Sequence, residues 1–266
     1  MVRSIPFAAL RLVALLLGIV AGYLCIFTIF LFSRAQGQAT TRFVYRSLCH
    51  LAGLRLHYHG KPFDKADLFV ANHVSYFDIL ILGGFLRTSF ISKTAVGRWP
   101  LIGGVAKKMN TFFVSRTQRE LLKELKALRQ RILTAEYPFL LFAEGTSGDG
   151  VSLYAFKRAL FQAVPLGEEA PAHVQPVSLH VSRLNGLKAT TFAKKLYSWR
   201  GDVALVPHLW MLCRLGTFDI DILFHTPVST RTTHNRSELA QRLWHVMSQG
   251  KATLYQPDHK TASAVS

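Results

Sequence analysis

The stretch Leu68-Phe69-Val70-Ala71-Asn72-His73-Val74-Ser75-Tyr76-Phe77-Asp78 passes from an apolar run into a polar turn that holds one histidine and one aspartate. The run Leu68–Ala71 reads as a short buried strand, because a strand with one wet face would alternate. Imidazole takes and returns a proton near neutral pH. A carboxylate on its other ring nitrogen fixes the tautomer and stabilises the imidazolium. On a regular helix the offset from His73 to Asp78 is a rotation of about 140°, so the two would not share a face. Pairing therefore needs a turn or a helix start between them. By itself the stretch reads equally well as a capped helix with a polar first turn.

Downstream the pattern alternates between strands and helices. Ser89–Ser92 and Thr111–Val114 read as strands, separated by the breaker-rich Gly97–Gly104. Thr117–Ala135 reads as a helix, with Leu121, Leu125, Leu128 and Ile132 on one stripe and Thr117 with Glu120 as a capping box. Its basic outer face reads as solvated surface. Tyr137–Phe142 is a strand signal that runs into Ala143–Gly150. A short helix is expected over Tyr154–Val164 and a strand over Val174–Val181. Pro176 points to an edge, a bulge or a strand start there. Phe218–Phe224 alternates as a strand, and Asn235–Gln249 closes the pattern as a helix capped by Asn235 and Glu238, with Leu239, Leu243 and Val246 as its stripe. Alternating βα units predict an α/β fold with a mainly parallel sheet flanked by helices.

Half of the 266 residues are hydrophobic, and 32 Lys and Arg face 15 Asp and Glu, for a net charge of +17. Such a balance predicts an anionic partner: nucleic acid, an anionic membrane or an acidic carrier protein. The basic residues are spread along the chain with no recognisable nucleic-acid module, so nucleic acid is not the expected partner. Cys25, Cys49 and Cys213 lie far apart without metal-ligand spacing, which predicts free thiols in a reducing compartment. The histidines show no HExxH-like arrangement, and neither a metal nor a cofactor is expected. Leu12–Phe32 carries no charged residue, long enough to cross a hydrocarbon core of roughly 30 Å. Residues 1–34 are read as an uncleaved membrane anchor. Residues 41–60 mix Arg42, Arg46 and Arg55 with apolar side chains, as a helix lying in the membrane interface would. Nothing splits residues 35–250, and residues 251–266 read as a disordered tail. The basic load after the anchor favours a main domain on the cytoplasmic side of the inner membrane.

Several polar clusters follow the expected strands, where α/β folds gather their sites. These are His73 with Asp78, Arg116 after Phe112–Ser115, and Glu144-Gly145-Thr146. A guanidinium after a strand grips an anionic group, and a glycine lets backbone approach a ligand closely. No Gly-x-Ser-x-Gly occurs, and no cysteine has an evident partner base. Asn72-His73-x4-Asp78, Phe113-x2-Arg116, Phe142-x-Glu144-Gly145-Thr146 and the Pro176-Val177 strand, in that order, resemble the four blocks of the glycerolipid acyltransferase family over about residues 68–180. This resemblance implies an acyltransferase domain over residues 35–250 behind a membrane-bound N-terminal segment. It also implies acyl transfer from a thioester to a lysolipid hydroxyl without a covalent acyl-enzyme. His73 would be the general base, with Asp78 orienting it. Arg116, Glu144, Gly145 and Thr146 would bind the acceptor. The donor would be acyl carrier protein or acyl-coenzyme A, and the partners membrane lipids, carrier protein and the lysolipid.

Within that family, enzymes with phosphate acceptors usually carry proline and arginine where this chain has Ala143 and Ser147. The stretch Phe142–Gly150, and Trp199-x-Gly201-Asp202-x4-Pro207-His208, look more like the lyso-ornithine lipid acyltransferases. That branch implies an acceptor with a carboxylate and an amine: Arg116 would hold the carboxylate, and Asp149 or Asp202 would face the amine. The alternative acceptor is 1-acylglycerol-3-phosphate.

Overall fold

Every residue of Leu68–Ala71 is buried, as a strand covered on both faces requires. The computed structural model describes residues 3–115, 117–200 and 203–254. In chain order its elements are α1 (Ile5–Phe32), α2 (Arg34–Leu51), β1 (Leu54–His59), β2 (Leu68–Ala71), α3 (Phe77–Phe85), β3 (Ser89–Lys93), α4 (Ile102–Lys108), β4 (Phe112–Val114), α5 (Gln118–Thr134), β5 (Phe139–Phe142), β6 (His173–Leu184), β7 (Leu187–Lys188), α6 (Thr191–Tyr197), α7 (Leu205–Leu215), β8 (Phe218–Phe224), β9 (Val228–Ser229) and α8 (Arg236–Leu254). The sheet runs β1-β8-β6-β2-β5-β3-β4, with β7 and β9 added to β6. Along that order only β6 and β8 pair antiparallel. The mainly parallel α/β expectation holds.

Strand alternation sorts the core into two layers. Phe69 and Ala71 face the layer that holds Ile81 and Leu82 of α3 and Leu212 of α7. Leu68 and Val70 face the layer that holds Leu125 and Leu128 of α5 and Leu239 and Leu243 of α8. Helices thus cover both faces, and the C-terminal ends of the parallel strands β2, β3, β4 and β5 gather along one edge.

Several expectations need correction. Residues 41–60 are not one interfacial helix. They are the second half of α2, which buries Leu48 and Cys49, followed by the edge strand β1. The alternation Leu54, Leu56, Tyr58 against Arg55, His57, His59 has the period of a strand, and β8 supplies its parallel partner. The helix expected over Tyr154–Val164 shrinks to a 3₁₀ turn at Arg158–Ala163. Pro176 sits at neither an edge, a bulge nor a strand start. It lies mid-sheet in β6, at the gap where one flank passes from β9 (Val174 with Val228) to β8 (Val177 with Phe224), so no ladder donor is needed there. The Thr117 hydroxyl donates to the Glu120 carboxylate at 2.6 Å rather than capping a backbone amide. Helix α8 begins where expected, with Asn235 Oδ1 accepting from the Ser237 amide at 2.8 Å. It continues past Gly250 to Leu254, and the rest of the anticipated tail lies outside the described residues.

Helix α1 starts before the uncharged run and does not stand apart from the domain. Its buried stripe is Ala8, Leu15, Gly22 and Ile26. A Cβ on Gly22 would lie 2.5 Å from Val44 Cγ1 of α2, so the missing side chain lets the two helices close on each other. Arg11 Nη1 donates to the Gly216 carbonyl at 2.6 Å, tying the helix to the end of α7. Its other face exposes Leu10, Leu17, Leu24 and Leu31, each at least 60% accessible. The helix is long and apolar enough to cross a membrane.

One fold contact carries a pH dependence. His225 hydrogen-bonds through Nε2 to Ser178 Oγ at 2.8 Å, and burial lowers its pKa to about 4. The unfolded ring has an ordinary value near 6.5 and so binds a proton that the folded ring refuses. This contribution is complete above about pH 6.5 and is lost as pH falls toward 4. Thermal midpoints measured across that window should fall with acidification, and the fall should be shallower in His225→Gln. An identical slope in that variant would show that other groups govern the acid limb.

Candidate active site

The turn after β2 is built so that the two residues of the His73–Asp78 pair can meet. Asn72 ends the strand with a side chain that imitates a ladder step: its Oδ1 accepts from the Leu179 amide at 2.8 Å and its Nδ2 donates to the Leu179 carbonyl at 3.0 Å. The chain then turns through Val74–Tyr76 and enters α3, with Asp78 in the first helical turn. An acidic side chain is favoured at a helix N-terminus. His73 Nδ1 lies 2.9 Å from Asp78 Oδ2. The same oxygen accepts from the Ser75 amide at 2.9 Å and from the Val74 amide. Asp78 is 1% exposed and the His73 side chain 17%. A buried carboxylate held by two amides accepts a hydrogen bond from Nδ1–H, which leaves the Nε2 lone pair available as the base. The imidazole also stacks on Phe142 at the end of β5, with centroids 4.2 Å apart and planes at 22°. Of the turn or helix start that the five-residue offset requires, the structure has both: a turn at Val74–Tyr76 that leads into the start of α3.

The loop after β5 locks onto this turn. Glu144 is buried, and its Oε1 accepts from the His73 amide at 3.1 Å while Oε2 accepts from the Tyr154 amide at 3.3 Å. The His73 carbonyl accepts from the Gly148 amide at 2.7 Å. Glu144 thus lies beneath the histidine as a brace of its backbone, whereas the sequence suggested an acceptor contact. Gly145 adopts φ +64°, a conformation that disfavours any side chain. Thr146 is exposed beside it. Asp149 Oδ1 accepts from the Val151 and Ser152 amides at 2.9 and 2.8 Å, as a turn residue does. Arg116, Gly201 and Asp202 lie outside the described residues. No group of three or more His, Cys, Asp or Glu suited to a metal occurs among the described residues.

An acyltransferase family model matches residues 55–180, which run from β1 into β6 and include the whole His73–Glu144 assembly. A lyso-ornithine lipid O-acyltransferase of Brucella abortus is 34% identical over 76% of this chain and 77% of the relative. The chain belongs to the acyltransferase family. A second lyso-ornithine lipid O-acyltransferase, from Rhizobium meliloti, is 32% identical over 74% of this chain and 69% of its own. A 1-acyl-sn-glycerol-3-phosphate acyltransferase of Neisseria gonorrhoeae is 27% identical over 66% of each chain. The crystal structure of the 1-acyl-sn-glycerophosphate acyltransferase from Thermotoga maritima superposes with a TM-score of 0.62 at 18% identity, covering 94% of this chain and all of that one, and so shares the fold.

The acyltransferase also uses residues that the sequence did not single out for this task. The Trp199 amide donates to the Val74 carbonyl at 2.9 Å, and the Tyr76 hydroxyl lies 3.2 Å from His208 Nδ1. Trp199 and His208 stood in a sequence block with no assigned geometry. Tyr76 lay inside the turn itself, and nothing local marked its partner.

Proposed function

We propose that this acyltransferase moves a fatty acyl chain from a thioester to the hydroxyl of a lysolipid at a membrane surface, with His73 as general base. The observation that carries the proposal is the 2.9 Å His73–Asp78 contact beside a fully buried carboxylate. His73 Nε2 removes the proton from the acceptor hydroxyl as its oxygen attacks the thioester carbonyl. The tetrahedral intermediate collapses by breaking the C–S bond. The departing sulfur receives the proton back from Nε2, so the ester and the free thiol leave together. Asp78 holds the imidazolium between the two transfers. Glu144 keeps the histidine backbone in place, and Arg116 with the Gly145-Thr146 turn is assigned to the acceptor.

The assigned acceptor is lyso-ornithine lipid, giving ornithine lipid. The 34% identity to the Brucella relative supports this choice, as does Ser147 at a position where enzymes with phosphate acceptors carry arginine. The exposed leucine stripe of α1 supports contact with lipid, and we place the domain on the cytoplasmic side of the inner membrane. The charge of +17 suits acyl carrier protein as donor. With palmitoyl-acyl carrier protein as donor, the membrane-embedded enzyme should acylate lyso-ornithine lipid. Product from 1-acylglycerol-3-phosphate alone would overturn the acceptor assignment.

A further inference from the structure

The turn that presents His73 is held from two sides. The β5 loop grips it at His73, through Glu144 and the Gly148 amide. The segment from α6 into α7 grips it farther along. Trp199 N–H donates to the Val74 carbonyl at 2.9 Å, and His208 of α7 meets the Tyr76 hydroxyl at 3.2 Å. Tyr76 immediately precedes α3, two residues before Asp78. Its ring packs among Phe77 at 4.6 Å, Trp199 at 5.6 Å and His208 at 5.7 Å between centroids.

The hydrogen-bond roles of His208 follow from its partners. Nε2 lies 3.1 Å from the carbonyl oxygens of both Leu196 and Ser198. Carbonyls only accept, so Nε2 carries the proton and Nδ1 accepts from the Tyr76 O–H. His208 is 3% exposed, and burial lowers its pKa, which keeps the ring neutral around pH 7. The groups that face it are Tyr76 from the turn and the Leu196 and Ser198 carbonyls at the C-terminal end of α6. Burial raises the pKa of the Cys213 thiol on α7, and no charged side chain among the described residues pairs with His208. A proton on Nδ1 would reverse the bond, with Nδ1 donating to the Tyr76 oxygen.

We propose that the Tyr76–His208 hydrogen bond positions the catalytic turn, so that His208, distant in sequence, keeps Asp78 aligned on His73 during acyl transfer. Both are positioning residues, and the inference rests on the reading of His73 as base. The segment bearing His208 lies beyond residues 55–180, so this second brace comes from outside the matched family region.

Tyr76→Phe, His208→Gln and the double variant test this in the palmitoyl-acyl carrier protein and lyso-ornithine lipid assay. His208→Gln retains a donor for Leu196 and Ser198 but places no acceptor at the Nδ1 position that meets Tyr76. Each single change should lower kcat by roughly tenfold with KM little altered, because misalignment acts on the reacting geometry. The double variant should be no worse than either single one, as expected for two ends of one bond. Parental kcat in Tyr76→Phe, additive losses, or a loss that merely tracks the folded fraction by thermal melt would each overturn the proposal. Failure of the underlying reading looks different: His73→Ala would then retain activity.

Discussion

His73→Ala is expected to slow acyl transfer by about 10²–10⁴-fold, the range that a positioned general base supplies. The protein should stay folded and membrane-associated. The side chain removed is partly exposed and makes one ring contact, with Phe142. What holds the loop at this position is the backbone, through the amide to Glu144 and the carbonyl to Gly148, and alanine keeps both groups. Initial rates with the palmitoyl thioester of acyl carrier protein, alongside a thermal melt, separate the two effects. A rate within tenfold of the parent in a folded variant would remove His73 from the chemistry. The adjacent Asp78 and the absence of a Gly-x-Ser-x-Gly sequence leave little room for a different proton acceptor, which is why the loss should be large.

Asp78 offers the second large effect, and here two substitutions should behave differently. Asp78→Asn preserves shape and can keep an oxygen toward the Val74 and Ser75 amides, but it removes the charge that stabilises imidazolium. Activity should fall about 10²–10⁴-fold with a modest change in stability. Asp78→Ala strips the acceptor from both amides inside a site that is 1% exposed. Each orphaned buried donor costs about 1–3 kcal/mol, so this variant should also melt markedly lower. Equal stability of the two variants would mean that Asp78 does not anchor the turn. Near-parental activity in Asp78→Asn would show that its charge is dispensable.

The legible parts of the structure are those in which neighbours in sequence decide the outcome. Of the α5 stripe, Leu125, Leu128 and Ile132 are buried and Leu121 is half-buried, and β8 falls on Phe218–Phe224 as read. Strand β1 went unread, although its alternation was present. The arginines at 42, 46 and 55 suggested one basic amphipathic segment, and only pairing with β8, far along the chain, marks Leu54–His59 as a strand. Pro176 misled for a related reason: whether a strand residue needs a donor depends on where its neighbours β8 and β9 end.

By itself the sequence determined that a buried strand ends before Asn72 and that His73 and Asp78 can pair only across a turn or a helix start. Both follow from local periodicity and from the angular step of a helix. It also determined an N-terminal helix too apolar for water alone. The tertiary structure decided what surrounds the pair. It put the Glu144 carboxylate under the His73 amide across a separation of 71 residues, and His208 against Tyr76 across 132. It also laid α1 against α2 through Gly22 and Val44 rather than leaving it a free anchor. Contacts over such separations leave no local pattern, because each partner residue has an ordinary reading in its own segment until the sheet brings the two together.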